Sequence, residues 1–174
     1  HGDFEDGRQV VMATRFGVIK KTNLAAFKNP MKRGIIALKI DEGDCLIGVA
    51  LTNGKQDILL ATSNGQAIRF HEAAVRSMGR TARGVRGIKL SKTDQVCSLV
   101  VVDEANEEGQ QPTILTLCEK GYGKRTPVND YRITNRGGKG IINIRASARN
   151  GKVVGVKSVD VSDQVIMVTQ QNKI

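Results

Sequence analysis

The stretch TNRGGKGIINI, residues 134–144, sets an arginine, a lysine and three glycines directly ahead of a β-prone apolar run. Two chemistries use such a set. A glycine-rich loop can cradle a nucleotide phosphate on its backbone N–H groups, but that loop has the form G-x-x-x-x-G-K-[ST], and GGKGI has neither the spacing nor the hydroxyl. A glycine turn can also hold two positive charges out to a long polyanion, which Arg136 and Lys139 suit. Catalytic sets are lacking. There is no G-x-S-x-G elbow, and His1 and His71 are the only histidines. His71 has no evident Asp or Ser partner and reads as a solvated surface residue. The glycines around Tyr122 suit a turn, and Asp41, Glu42 and Asp44 read as an acidic loop between strands. Cys45, Cys97 and Cys118 stand singly in apolar surroundings, which fits buried thiols in a reducing cytosol better than disulfides or zinc. The expectation is no catalytic residue, no metal and no cofactor in this chain.

The elements that would position the basic residues repeat along the chain. VVMATRFG (10–17), ILLATSNG (58–65), ILTLCEKG (114–121) and VIMVTQQN (165–172) share one plan, an apolar β-prone run followed by a polar turn ending in Gly or Asn. Gly17, Gly65, Gly121 and Asn172 are then equivalent, spaced 48, 56 and 51 residues apart. Asn64-Gly65 is the strongest hairpin signal, because a tight primed turn needs positive φ. A second set is RGIIALKI (33–40), RGVRGIKL (83–90) and GGKGIINI (137–144), in which Gly34, Gly84 and Gly138 each precede a short strand. A third is DCLIGVAL (44–51), DQVCSLVV (94–101) and GKVVGVKS (151–158), again strand-like. The NLAAFKN and HEAAVRSM stretches offer at most a helical turn or a loop, and DEANEEGQQP (103–112) reads as an acidic hairpin loop.

A unit of roughly 50 residues with about four short strands is the signature of a propeller-type blade, which buries its faces only against its neighbours. The fold class expected is all-β and propeller-like, as one domain fragment over residues 1–174. Its units run over about 10–57, 58–113 and 114–164 with a partial unit at 165–174, so about three and a half blades are present and others are expected before His1.

Composition limits the partner. The 174 residues carry a net charge of +10, which favours an anionic partner. Aromatics are only 3% with no Trp, a poor supply for base stacking, so duplex backbone is favoured over single strands. No run approaches the roughly 20 apolar residues of a membrane span. The opening HGDFEDGRQ lacks an initiator Met and any signal pattern, as a piece of a longer chain would.

Charge also has a phase. Residues 17–40, 65–92 and 120–149 hold 21 of the 27 Lys and Arg, and their only acids are Glu72 and Asp130. Equivalent phases of a blade array occupy equivalent positions in space, so these segments are expected to join into one curved basic track.

The stretches ATRFGVIKKT, DCLIGVALT, AAVRSMGRTARGVRGIKL, GYGKRTPVNDY and RNGKVVGVKSV, in this order and spacing, resemble the C-terminal domain of the A subunit of bacterial DNA gyrase, the β-pinwheel. The resemblance covers essentially the whole chain. Arg136, Gly137, Gly138, Lys139 and Gly140 match the last five positions of the family's Gln-Arg-Arg-Gly-Gly-Lys-Gly box, while Thr134 and Asn135 replace the first two. This stretch is in phase with RGIIALKI and RGVRGIKL, so the full box is expected upstream of His1.

The resemblance implies a domain that binds duplex DNA on its basic perimeter and bends it into a positively handed wrap, supporting ATP-dependent negative supercoiling by the full enzyme. It implies that cleavage and ATP hydrolysis belong elsewhere, so neither Tyr122 nor Tyr131 is a nucleophile. The implied partners are duplex DNA, the remainder of the gyrase A subunit, and the gyrase B subunit, with no membrane, in the bacterial cytoplasm at the nucleoid. With the charge phase, it assigns phosphate contacts to Lys20, Lys21, Lys32, Arg33, Arg69, Arg76, Arg80, Arg83, Arg86, Lys124, Arg125, Arg132, Arg136 and Lys139. The turn-shaping residues would be Gly34, Gly84, Gly137, Gly138 and Gly140. The alternatives are the C-terminal domain of topoisomerase IV and a propeller-type scaffold for an acidic protein partner.

Overall fold

The computed structural model describes residues 4, 7–102, 105 and 109–168. Each repeat opens as a hairpin, because an apolar run meets a short turn with glycine where positive φ is needed. In the first repeat β1 (Gln9–Thr14) turns into β2 (Val18–Asn23), and β3 (Leu46–Thr52) lies on the other side of β1. The second repeat holds β4 (Asp57–Thr62), β5 (Gln66–His71), the two-residue β6 (Val85–Arg86) and β7 (Val96–Val102). The third holds β8 (Thr113–Cys118), β9 (Gly123–Pro127), the two-residue β10 (Ile141–Ile142) and β11 (Val153–Val159).

Three antiparallel sheets result, with orders β3-β1-β2-β6, β7-β4-β5-β10 and β11-β8-β9. The fourth strand of a sheet is not its own repeat's. β6 pairs with β2 through Val18–Arg86 and Ile19–Val85, and β10 pairs with β5 through Ala67–Ile141 and Gln66–Ile142. The second and third repeats therefore each complete the sheet before them. The strand expected over 33–40 is absent, and Ile36 and Ile40 are exposed. By its phase this segment would pair with a β2-like strand of a preceding repeat, and the described residues offer none.

In β4 the run Ile58, Leu59, Leu60 and Ala61 is apolar because both of its faces are covered. Ile58 and Leu60 pack with Val11, Ala13, Ile19, Ile68 and Phe70, whereas Leu59 and Ala61 pack with Val100, Ile114, Val153 and Val156. Alternate side chains thus fill two separate cores, one on each face, and burying each large one is worth roughly 1.5–3 kcal/mol.

The turn at Asn64-Gly65 differs from expectation. The Gly65 N–H bonds Thr62 O at 3.0 Å, which makes a three-residue loop over 63–65 in place of a two-residue primed turn. Side chains hold this wider loop: Asp94 Oδ1 accepts from Asn64 N–H at 2.9 Å, and Thr62 Oγ1 accepts from Gln66 N–H at 3.1 Å. The helix-prone stretches become single 3-10 turns at Leu24–Phe27 and Glu72–Ala74, with a third at Val128–Asp130. Residues 165–168, expected to open a fourth unit, form no strand and are exposed; 169–174 and residues 103, 104 and 106–108 of the acidic loop lie outside the described residues.

Candidate nucleic-acid interface

Two glycines fix the phase of the basic segments. Gly84 has φ 101° and lies so close to β2 that an added Cβ would stand 2.6 Å from Ile19 O; Gly140 has φ 76° and the same relation to Ala67 O, at 2.2 Å. Ile19 and Ala67 occupy one position in the repeat, so Gly84 is equivalent to Gly140. The expected equivalence with Gly138 is two residues out. Gly34, with φ 78°, holds the same place in the first repeat. Corrected in this way, the residue before each of these glycines is basic, namely Arg33, Arg83 and Lys139, and all three are exposed.

Backbone hydrogen bonds place the three segments side by side. Lys39 N–H donates to Ala82 O at 3.3 Å and, one repeat on, Lys89 N–H donates to Gly138 O at 2.8 Å. Gly137 N–H donates to Gly87 O at 2.6 Å. Arg136 is half-buried and adds a side-chain tie, Nη1 to Arg86 O at 3.0 Å and Nε to Ala74 O at 2.9 Å. The segments thus form one row, stepping by a repeat at a time, with the basic residues along it.

The expected contacts divide by exposure. Lys32, Arg33, Arg76, Arg83, Arg86, Lys124, Arg125, Arg132 and Lys139 are exposed, and Arg80 and Arg136 are half-buried. Three others are engaged in structural contacts. Lys20 is fully buried, and its Nζ donates to Ala37 O at 2.7 Å and to Arg80 O, so it ties two successive segments together. Burial, and secondarily the Arg80 charge, lowers its pKa. Lys21 is buried on Glu72, and Arg69 is held by Asp57, with Nε and Nη2 each 2.8 Å from Oδ2. Arg69 Nη1 also donates to Val128 O at 2.8 Å.

Lys21, Arg69 and Arg125 occupy one position of the repeat, the first two each gripping the 3-10 turn of the next repeat. Arg125 is exposed, and its Nε donates to Thr113 Oγ1 of its own repeat at 2.7 Å. A Lys or Arg code in sequence does not separate a staple from a surface charge. Two features escaped the sequence reading: Lys89 stands exposed beside Lys139, and Asp41 Oδ2 pairs with Arg83 Nη2.

The other polar groups have structural work. Tyr131 is 2% exposed; its Oη donates to Asn143 Oδ1 at 2.5 Å, and Asn143 Nδ2 donates to Thr116 Oγ1 at 2.9 Å. Tyr122 lies beneath the Arg149 guanidinium, 5.0 Å from it. His71 is exposed but has partners: Nδ1 accepts from Ala73 N–H at 3.1 Å as the cap of a 3-10 turn, and the Lys55 carbonyl takes Nε2 at 3.1 Å. Among the described residues no helix is long and apolar enough to cross a membrane.

The sequence matches the family model described as DNA gyrase C-terminal domain, beta-propeller, over residues 8–53, 56–103 and 113–160. It is 47% identical over 167 residues to the DNA gyrase A subunit of Salmonella typhimurium, covering 96% of this chain and 18% of that protein. Identity to the DNA gyrase A subunit of Haloquadratum walsbyi is 45% over 172 residues, covering 99% and 20%. The chain therefore spans about a fifth of the length of these relatives. Among solved structures, the C-terminal domain of DNA topoisomerase IV superimposes with a TM-score of 0.84 at 25% identity, over 93% of this chain and 49% of that one. The C-terminal domain of DNA gyrase A gives 0.79 at 25% identity, over 91% and 51%. The three matched repeats open on the three hairpins that begin the sheets, and the chain belongs to the DNA gyrase C-terminal domain family.

Proposed function

We propose that this chain is the DNA-wrapping part of a gyrase A subunit, binding duplex DNA through its phosphates and bending it around the basic row. The observation that carries this reading is the recurrence of Arg33, Arg83 and Lys139, each ahead of a positive-φ glycine, on segments joined edge to edge by backbone hydrogen bonds. Charges fixed at a regular step along a rigid row meet a polyphosphate at successive turns of its path. Such contacts carry no base identity, and binding weakens with salt by about 0.9 in log-log slope per phosphate. Smooth bending of 20 to 30 base pairs by 40 to 90° costs on the order of 1 to 6 kcal/mol, which distributed phosphate contacts offset.

The wrap is positively handed, and in the full enzyme it presents a neighbouring duplex for passage, so that ATP-dependent cleavage and rejoining by other parts of the enzyme yields negative supercoils. This chain contributes no catalytic group to those steps. Its partners are duplex DNA, the rest of the gyrase A subunit, and the gyrase B subunit, in the bacterial cytoplasm.

The test is ligation of nicked plasmid in the presence of increasing protein, with the linking number measured after its removal and a gel shift on the same samples. A positive change that grows with protein supports the wrap. The topoisomerase IV domain, which superimposes slightly better, is the second reading, and binding without a linking-number change would favour it. Absence of binding at low salt would overturn both.

A further inference from the structure

The junction between successive repeats forms a surface niche twice, and the two copies differ in how their charges are paired. Between the second and third repeats the niche is lined by Asn64, Gln66, Lys89, Ser91, Asp94 and Lys139. Between the first and second it is lined by Phe16, Val18, Asp41, Arg83 and Arg86. Measured from Gly17 and Gly65, Phe16 stands where Asn64 does, and Val18 where Gln66 does. Measured from Gly34, Gly84 and Gly140, Asp41 corresponds to Ser91, and Arg83 to Lys139.

We propose that the niche between the second and third repeats seats a phosphate group, and that Asp41 closes the equivalent niche between the first and second. The proposal rests on the duplex-binding reading, and the ligand is a phosphate of the DNA backbone. In the open niche Lys89 and Lys139 supply two ammonium groups and Ser91 a hydroxyl, while Asn64 and Gln66 supply amides. Asp94 adds an acid, but its Oδ1 already accepts from Asn64 N–H at 2.9 Å, Gln95 N–H at 2.8 Å and Ser63 Oγ at 3.2 Å. Its counterpart Asp44 does the same in the first repeat, accepting from Phe16 N–H at 2.9 Å and Cys45 N–H at 2.8 Å, so these two acids do not distinguish the niches.

Position 41 does. Its carboxylate pairs with the Arg83 guanidinium, where the later niche has the neutral hydroxyl of Ser91 near Lys139. A carboxylate there occupies the Arg83 donors a phosphate would use and repels the phosphate itself, which leaves Arg86 as the other cation of that niche. The next position repeats the contrast, Glu42 against Lys92, and the apolar Phe16 and Val18 replace the two amides. The phosphate path along the row is thereby uneven, held at the later junction and released at the earlier.

The experiment exchanges the two residues. Binding of Asp41→Ser, Ser91→Asp and the unaltered protein to a duplex of arbitrary sequence is titrated across salt, with urea unfolding of each to establish that it is folded. Asp41→Ser is expected to steepen the log-log salt slope by about 0.9, an extra loss of about 3.5-fold in affinity over a fourfold rise in salt. Ser91→Asp is expected to make it shallower by about the same 0.9. Lys139→Gln serves as the second variant at that niche if Ser91→Asp does not fold, with the same expected direction. A slope that stays at the unaltered value in a folded variant overturns the assignment for its niche while leaving duplex binding intact. An unaltered protein that does not bind duplex at low salt overturns the duplex reading, and this inference with it.

Discussion

Lys21 Nζ lies 3.5 Å from Glu72 Oε2 and donates to the Glu72 backbone oxygen at 2.8 Å, which joins the first repeat to the second across 51 residues of chain. Both side chains are buried, and Glu72 is saturated: Thr52 Oγ1 donates to Oε2 at 2.6 Å, and Gln56 N–H to Oε1 at 3.0 Å. Removing one member of such a pair strands the other as an uncompensated buried charge, at about 3–5 kcal/mol. Glu72→Gln should therefore lower the urea midpoint markedly. Duplex affinity of the protein that remains folded should stay unchanged, since Lys21 is a staple and not a phosphate ligand. A variant that keeps its stability and loses DNA binding would reverse that assignment.

Among the described residues Arg33 has no acid beside it comparable to Asp41 beside Arg83, and it is exposed at the equivalent place in the row. Arg33→Gln should reduce the salt slope of duplex binding by about 0.9 and weaken all sequences alike. A loss confined to one duplex sequence would show that the residue reads bases.

Much of this arrangement was legible in the chain, and the illegible part has physical causes. The hairpins at Gly17, Gly65 and Gly121 and the later strands β3, β7 and β11 follow from apolar runs bounded by turn residues. The exchange of the fourth strand did not, because it rests on two paired residues in each case, Val85–Arg86 and Ile141–Ile142, too short a run to carry a period. The same brevity let Gly138 stand in for Gly140, since glycines occur at 137, 138 and 140 and only the close approach to Ala67 O distinguishes the last. Lys20, Lys21 and Arg69 read as surface charges because their acceptors, the carbonyls of Arg80, Glu72 and Val128, are carried by the next repeat.

The Cys97 thiol is pushed up from 9.0 to about 11, chiefly by burial. Below pH 9 the thiol is protonated in both folded and unfolded chains and contributes no pH dependence. Between pH 9 and about 11 the unfolded chain releases the proton while the folded chain keeps it, so stability falls as pH rises through this window, by at most about 1.4 kcal/mol per pH unit. Burial raises Cys118 and Tyr131 in the same direction. Lys20 has the opposite sign, because its folded pKa is lowered and the unfolded chain holds its proton longer as pH rises toward 10.5. Cys97→Ala should therefore lose less stability than the unaltered protein between pH 9 and 11, measured as the change in urea midpoint. Parallel pH profiles for the two proteins would show that Cys97 does not titrate with folding.

The glycines that set the phase of the basic row should differ in their tolerance of a side chain. Gly34 and Gly140 both have φ near 77° (78° and 76°), so alanine at either meets the left-handed penalty of roughly 1–2 kcal/mol. Space separates them. A Cβ at Gly34 would meet no atom within 4 Å, whereas at Gly140 it would stand 2.2 Å from the backbone oxygen of Ala67. That oxygen belongs to β5, which is locked between β4 and β10, so it cannot retreat without opening the sheet. Gly34→Ala should lose only the backbone term and retain duplex binding. Gly140→Ala should lose more stability and detach the segment bearing Arg136 and Lys139, which reduces the salt slope of binding as well. Urea midpoints together with salt-dependent gel shifts measure both effects, and equal destabilisation of the two variants would show that the close approach at Ala67 does not hold the segment in place.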